Sequence, residues 1–161
     1  MTPLVHIDRD AGLESPDDDS FYCWVDSTLK HVGEQIPANP EVSFRINDAS
    51  EMAALNLRFR SKDGPTNVLS FPADLVTENT VSLLGDIAIC APVVAAEAAQ
   101  QAKPVEAHWA HLTVHGVLHL VGYDHLDSAD AQKMESLEIK ILADLGFKNP
   151  YTMHDEREHS P

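Results

Sequence analysis

Apolar and polar residues alternate along this chain with two different periods, and each period predicts a different kind of secondary structure. Short stretches that alternate apolar and polar residues, or that stay apolar for a few positions, predict β-strands. Apolar residues spaced by threes and fours predict helices with one buried face. The predicted strands cover residues 4–8, 42–47, 67–71 and 85–90, and the predicted helices cover residues 17–32, 51–60, 92–99, 104–121 and 127–145.

Capping and turn residues set the ends of these segments. Asp127, with Asp130 three residues later, is expected to cap the last helix, and Gly146 is expected to end it. Residues 74–82 have no clear period and predict a loop. The second helix has Asp48 or Ser50 as its candidate cap and an expected inward stripe of Met52, Leu55 and Phe59.

Length and composition indicate one compact domain. The 161 residues are 43% hydrophobic and contain no internal repeats, so we expect an α+β or mixed α/β domain over residues 1–150, followed by a flexible tail at 151–161. No apolar run approaches the length of a membrane span, and residues 1–10 lack the pattern of a signal peptide. With only Cys23 and Cys90, no disulfide framework is implied, which favours the cytoplasm.

The formal net charge of −15 is unevenly distributed. Nucleic-acid binding relies on Lys and Arg contacts to phosphate, so this net charge gives no general attraction for RNA or DNA. Acidic residues crowd into 17–19, 127–138 and the tail, where they are expected to form a solvated surface, whereas Arg58, Arg60 and Lys62 form a basic group. Net charge therefore neither supports nor excludes a polyanionic substrate.

The segment HGVLHLVGYDH, residues 115–125, carries the strongest chemical signal. His115 and His119 are four residues apart, so on a helix their rings stand on one face and can reach one ion. Gly122 can end the helix and turn the chain, which would return His125 to the same ion. Three histidines with an open fourth position are typical of catalytic zinc, so we predict one Zn²⁺ per chain on His115, His119 and His125. Nickel, copper and iron also accept three nitrogen ligands.

Two other histidines, His108 and His111, precede this motif. His111 stands one turn before His115 and has the right spacing as well. Only the pair His115 and His119 lies directly before the glycine turn. We therefore assign His108 and His111 to packing, or at most to contacts with the ligand side chains and not with the ion. A lone histidine on an apolar helix is more often a hydrogen-bonded core residue than a ligand.

Gly116 separates this motif from that of the metzincin proteases. Those enzymes carry a glutamate directly after the first histidine, in H-E-x-x-H-x-x-G-x-x-H, as the general base of peptide hydrolysis. Gly116 occupies that position here, so the protease mechanism lacks its base. The site is therefore expected to serve another hydrolysis.

The histidine motif, taken together with residues 56–72 (NLRFRSKDGPTNVLSFP), resembles the YbeY family of bacterial endoribonucleases. Residues 84–87 and 106–111 match the family's pattern too, and the resemblance runs from about residue 42 to 146. It implies a single domain with a small mixed sheet flanked by helices, and a metal site at the end of a central helix in a cleft. It also implies that His115, His119 and His125 are zinc ligands and that Arg60 is a catalytic residue facing that cleft.

The same resemblance implies a function in ribosomal RNA processing. The expected activity is single-strand-specific endoribonuclease cleavage in 16S rRNA 3′-end maturation and ribosome quality control, with the small ribosomal subunit and further proteins as partners and no membrane association.

A planar guanidinium such as Arg60 suits the phosphate oxygens that gain charge during cleavage. Asp86 is a further candidate base or orienting group, and Asp124 a candidate contact behind the ligands. Lys62 and Asp63 are interpreted first as turn residues.

Two alternatives remain open on the sequence. One is a metal-dependent hydrolase of a non-nucleic substrate, which an arginine beside a metal would also suit. The other is a ribosome-assembly factor in which the zinc is structural and the main activity is binding. RNA cleavage, ester or peptide turnover, and ribosome co-sedimentation distinguish the three.

Overall fold

The computed structural model follows the predicted order of strands and helices. It describes residues 2–33, 36–73, 82–124 and 126–151. Most of the predicted loop at 74–82 and most of the predicted tail at 151–161 therefore lie outside the described residues. The elements are β1 (Leu4–Arg9), α1 (Asp18–Val32), β2 (Glu41–Asn47), α2 (Ala49–Arg60), β3 (Val68–Pro72), β4 (Leu83–Cys90), α3 (Ala91–Gln100), α4 (Val105–Leu120) and α5 (Ser128–Asp144).

The four strands form one mixed sheet in the order β1-β2-β4-β3. β1 and β2 run parallel, β2 and β4 run parallel, and β3 pairs antiparallel with β4 at the edge. Parallel neighbours need a long crossover between them, and α1 supplies it for β1 and β2. The predicted α+β fold with a small mixed sheet is confirmed.

Aspartates cap three of the helices, which explains where those helices begin. The side chain of Asp17 accepts a hydrogen bond from Ser20 N at 2.9 Å. Asp127 accepts one from Asp130 N at 2.8 Å, as predicted. For α2 the cap is Asp48 rather than Ser50, because its Oδ1 accepts from Glu51 N at 2.9 Å.

The predicted inward stripe of α2 is partly wrong. Met52 is fully buried, but Phe59 is 47% exposed and Asn56 takes the buried position beside Met52. The Asn56 side chain donates to Gly64 O at 2.9 Å, so this helix face secures the turn that leads to β3. Apolar spacing alone does not distinguish the two stripes, since residues 52 and 56 share a face as well as residues 52, 55 and 59 do.

The helix α4 is the centre of the fold. It contacts α1, α3, α5, β3 and β4, and ten of its sixteen residues are buried. A helix that is apolar on nearly all sides belongs in a core. One core cluster packs α1, α4 and α5 against the sheet face that presents Phe44 and Ile87, and a smaller one lies around Met52 and Leu69.

Two further findings concern the predicted tail and the lengths of the helices. The Tyr151 hydroxyl donates to Glu138, so the first residue of the predicted tail is tied to α5. None of the helices formed by the described residues is long and apolar enough to cross a membrane.

We expect Gly85→Ala to lower the free energy of unfolding by about 3 kcal/mol, because both backbone conformation and space at this position suit only glycine. Gly85 has φ of 145°, and a Cβ there would lie 2.3 Å from the Phe71 carbonyl oxygen. The matched control is Gly12→Ala, where φ is 88° but no atom lies within 4 Å of the added Cβ. Its cost should be about 1 kcal/mol. Equal losses in urea denaturation would contradict this account of β3 and β4.

Candidate functional site

Three histidines, His111, His115 and His119, interrupt the buried part of α4. Between His108 and Leu120, each residue of the helix is buried except His111, His115 and His119. They recur every four residues and therefore stand in one row along the helix. The spacing predicted from the sequence thus places the imidazoles of His115 and His119 side by side at the C-terminal end of a buried helix.

The two rings meet through their Nε2 atoms. Nε2 of His115 and Nε2 of His119 lie 3.1 Å apart, with ring centroids 4.6 Å apart. Two imidazole nitrogens on one tetrahedral zinc ion would stand about 3.3 Å apart. The pair therefore fits two ligands of one ion.

The third predicted ligand, His125, lies outside the described residues. Within residues 2–33, 36–73, 82–124 and 126–151, no group of three or more His, Cys, Asp or Glu side chains is arranged to hold a metal ion. The helix does end as predicted: Val121 follows its last turn, and Gly122 has φ of 104°.

A fully buried carboxylate, that of Glu138 on α5, contacts two of the three histidines. Its Oε2 lies 2.7 Å from Nδ1 of His115, and its Oε1 lies 2.9 Å from Nε2 of His111. The Tyr151 hydroxyl donates to the same Oε1. When Nδ1 of His115 donates its proton to this carboxylate, Nε2 keeps the lone pair that a metal requires.

The charge of Glu138 depends on these contacts. Burial alone would raise its pKa, but hydrogen bonds from His111 and His115 outweigh burial and hold the pKa at about 2. Burial and the hydrogen bond to Glu138 raise the pKa of Tyr151 above its ordinary value. The carboxylate is therefore ionised at neutral pH, and Tyr151 is a neutral donor.

Glu138 does not belong to a solvated acidic surface, so the prediction made for residues 127–138 is wrong at this position. Its side chain is 0% exposed. One signal in the sequence identifies it: the residue lies four after Met134 and three before Ile141, so it shares a helix face with two apolar residues. A single carboxylate on an apolar helix face requires a partner, and the histidines of α4 are that partner.

His108 and His111 have other contacts than the His115–His119 pair. Nε2 of His108 lies 2.8 Å from Glu97 Oε1, and burial lowers the pKa of this histidine. Nε2 of His111 is engaged by Glu138 and lies 3.3 Å from the Tyr151 hydroxyl. The Nε2 atoms of both rings thus contact glutamate side chains and not the His115–His119 pair.

A cleft of about 640 Å³ opens in front of His115 and His119. The end of α2, the turn after it, β3 and the end of α4 line this cleft, and Arg60 and Lys62 are among its lining residues. One guanidinium N–H of Arg60 donates to Ser70 O at 3.2 Å. The Ser70 hydroxyl in turn donates to Gly116 O at 3.0 Å, so α2, β3 and α4 are linked at the cleft.

Position 116 faces the sheet and not the cleft. A Cβ on Gly116 would meet Ile87 side-chain carbons at 3.1 and 3.2 Å and the Ser70 hydroxyl at 3.3 Å. A glutamate there would press its Cβ against the sheet, and its side chain would start toward Ile87 and Ser70. Gly116 therefore does more than replace the base of a protease: it permits the close approach of α4 and the sheet.

The remaining candidates divide between the cleft and the opposite side of the sheet. Asp124 and Lys62 line the cleft. Asp86 is exposed on β4 and is not among the described residues that line the cleft. Because side chains alternate along a strand, Asp86 lies on the face opposite its neighbour Ile87, which packs against α4. The structure gives Asp86 no contact with the histidine pair.

Known proteins match both the sequence and the fold. The family model of endoribonuclease YbeY matches residues 8–146. The endoribonuclease YbeY of Methylococcus capsulatus is 53% identical over 136 residues, which are 84% of this chain and 87% of that protein. The solution structure of TM1509 from Thermotoga maritima shares the fold with a TM-score of 0.54 at 22% identity, over 88% of this chain and 91% of that one.

The chain therefore belongs to the YbeY endoribonuclease family. The predicted family is confirmed, and with it the predicted class of enzyme, a hydrolase that acts on RNA. The likeness to the solution structure, at 22% identity, supports the fold alone.

We expect Glu138→Gln to lower the free energy of unfolding of metal-free protein by about 3 kcal/mol at pH 7. A pKa lowered to about 2 from the ordinary 4.5 means that the ionised group stabilises the folded state above pH 4.5. That contribution is lost as the pH falls from about 4.5 to 2. Chemical denaturation in chelator at pH 7 and pH 3 measures the effect.

Glu135→Gln is the matched control, because Glu135 is exposed on the same helix. It should change stability by no more than about 0.5 kcal/mol at either pH. If Glu138→Gln costs the same at pH 3 as at pH 7, the ionised carboxylate is not what stabilises this site.

Proposed function

We propose that the cleft in front of His115 and His119 is the cleaving centre of a zinc-dependent, single-strand-specific endoribonuclease. The observation that carries the proposal is the link between Arg60 and this histidine pair. Arg60 donates to Ser70 O, and Ser70 donates to the backbone of α4 next to His115. An arginine and two imidazoles from distant parts of the sequence thereby line one cleft.

In this proposal His115, His119 and His125 hold one Zn²⁺. The support is the 3.1 Å separation of the two Nε2 atoms and the hydrogen bond by which Glu138 directs the lone pair of His115 Nε2 outward. A divalent ion bound there supplies a Lewis acid and lowers the pKa of a bound water. His125 enters by its place in the sequence motif.

The proposed role of Arg60 is to bind and stabilise the phosphate oxygens. Cleavage of a phosphodiester builds negative charge on the oxygens around phosphorus, and a guanidinium offers two parallel N–H donors to them. The hydrogen bond to Ser70 O limits the positions that this long side chain can take. Asn56 supports the same wall, because its side chain fixes the turn after α2.

The local charge of the cleft suits RNA better than the net charge of −15 does. Arg60 and Lys62 line the cleft, with Arg58 on the adjoining surface of α2. A groove of this size admits a single strand, whose bases and backbone are accessible, more readily than a duplex. We infer that RNA binds locally here and that tight selection comes from a larger assembly.

The proposed substrate is ribosomal RNA, at the 3′ end of 16S rRNA, in maturation and ribosome quality control. The support is family membership together with the weak general attraction for RNA expected of so acidic a chain, which favours recognition in the context of the small subunit or a partner protein. The proposed compartment is the cytoplasm, in keeping with the unpaired Cys23 and Cys90.

We expect Arg60→Ala to reduce kcat/KM on a defined single-stranded RNA by about 100-fold, the usual effect of removing one donor that stabilises developing charge. His115→Ala should abolish cleavage. Lys30→Ala is the matched control: Lys30 lies on α1, paired with Asp26 at 2.9 Å and outside the cleft lining. Its rate should equal that of the unaltered protein in a gel assay of end-labelled RNA.

The same assay distinguishes the alternatives. Cleavage that persists in both Arg60→Ala and His115→Ala would show a contaminating nuclease and remove the support for this site. Equal turnover of esters or peptides would indicate a hydrolase with a non-nucleic substrate. Ribosome co-sedimentation without RNA cleavage would indicate an assembly factor.

We expect protein purified without chelator to contain about one zinc ion per chain by elemental analysis. His115→Ala, His119→Ala and His125→Ala should each lose it. His6→Ala should keep it, because His6 lies on β1 with a side chain that is 53% exposed. Less than about half an equivalent in the unaltered protein would count against the site, and another divalent metal in its place would overturn the choice of zinc.

A further inference from the structure

Two arginines and two phenylalanines form a continuous cluster at the end of α2, which we term the Arg–Phe cluster: Arg58, Phe59, Arg60 and Phe71. The guanidinium carbon of Arg58 lies 5.1 Å from the centroid of the Phe59 ring. Phe59 and Phe71 meet edge to face, with centroids 5.2 Å apart. The guanidinium carbon of Arg60 lies 6.0 Å from the centroid of Phe71.

The outer part of this cluster is accessible to solvent. Phe59 is 47% exposed, and Leu57 on the same helix is 57% exposed. Single exposed apolar residues are ordinary on protein surfaces. A phenylalanine held between a guanidinium and a second ring is a different case, since its orientation is fixed while much of its surface remains open.

One member of the cluster, Arg60, lines the cleft. Lys62, two residues after Arg60, and Pro72, which follows Phe71, line it as well. Three of the chain's 11 basic residues thus fall within five positions, against 26 acidic residues overall. A ligand that contacts this region meets positive charge and an aromatic ring, although the protein as a whole is strongly acidic.

We propose that the Arg–Phe cluster is a nucleotide subsite, in which Phe59 stacks with a base of single-stranded RNA while Arg60 binds a phosphate of the same strand. Stacking on an aromatic ring tolerates any base, and arginine adds a cation beside the stack. This inference rests on the proposed function and names a contact that would hold the strand next to Arg60, the member of the cluster that lines the cleft. The positive charge would attract an acidic peptide as well as RNA, so the stacked base is the contact that distinguishes RNA as the occupant.

Binding, and not cleavage, tests the subsite. The parent protein carries His115→Ala, and its Kd for a fluorescein-labelled 12-nucleotide oligo(U) is measured by anisotropy at low salt. Adding Phe59→Ala should weaken binding by about 5-fold or more, because one stacked base contributes that much. Phe59→Trp should restore it, and Leu57→Ala, an equally exposed apolar change on the same helix, should leave the Kd within 2-fold.

A second ligand separates stacking from phosphate contact. An abasic ribose-phosphate strand of equal length should bind weakly to the parent and lose little on Phe59→Ala. The subsite is overturned if Phe59→Ala changes the Kd for oligo(U) by less than 2-fold, if Leu57→Ala has the same effect as Phe59→Ala, or if the abasic strand binds as tightly as oligo(U). A chain that shows the expected binding but never cleaves RNA would refute the proposed function and leave the subsite in place.

Discussion

The close approach of α4 to the sheet is the constraint on which the other features depend. Gly116 lies where any side chain would press on Ile87 and Ser70, so the helix can sit directly on β3 and β4. At this distance the Ser70 hydroxyl reaches the carbonyl of Gly116. The row of histidines is thereby turned to the one side of α4 that the core leaves open, next to the wall that carries Arg60.

The buried carboxylate of Glu138 complements this packing with charge. A lone ion in a core is costly, and Glu138 is tolerated because His111, His115 and Tyr151 all direct hydrogen bonds to it. The same contacts fix the orientation of His115. One interaction therefore serves both the stability of the core and the geometry of the cleft, which explains why an acidic side chain occupies an apolar face of α5.

Local charge and global charge have separate consequences in this molecule. The acidic excess repels free RNA from most of the surface, whereas the end of α2 places two arginines against aromatic rings, and one of these arginines, Arg60, lines the cleft. Among the described residues, the positive charge at this end of α2 is therefore local and stands out against an acidic surface.

The sequence by itself determined the order of the elements, the cap at Asp127, and the pairing of His115 with His119, because each follows from spacing or chemistry within a few residues. The family resemblance also came from local motifs, and the comparisons confirmed it. Only the tertiary structure decided that Phe59 is exposed, that Glu138 is buried against the histidines, and that Gly116 is a packing residue. These depend on which face of each helix meets which strand, and contacts between residues 20 to 50 positions apart leave no local signal strong enough to reveal them.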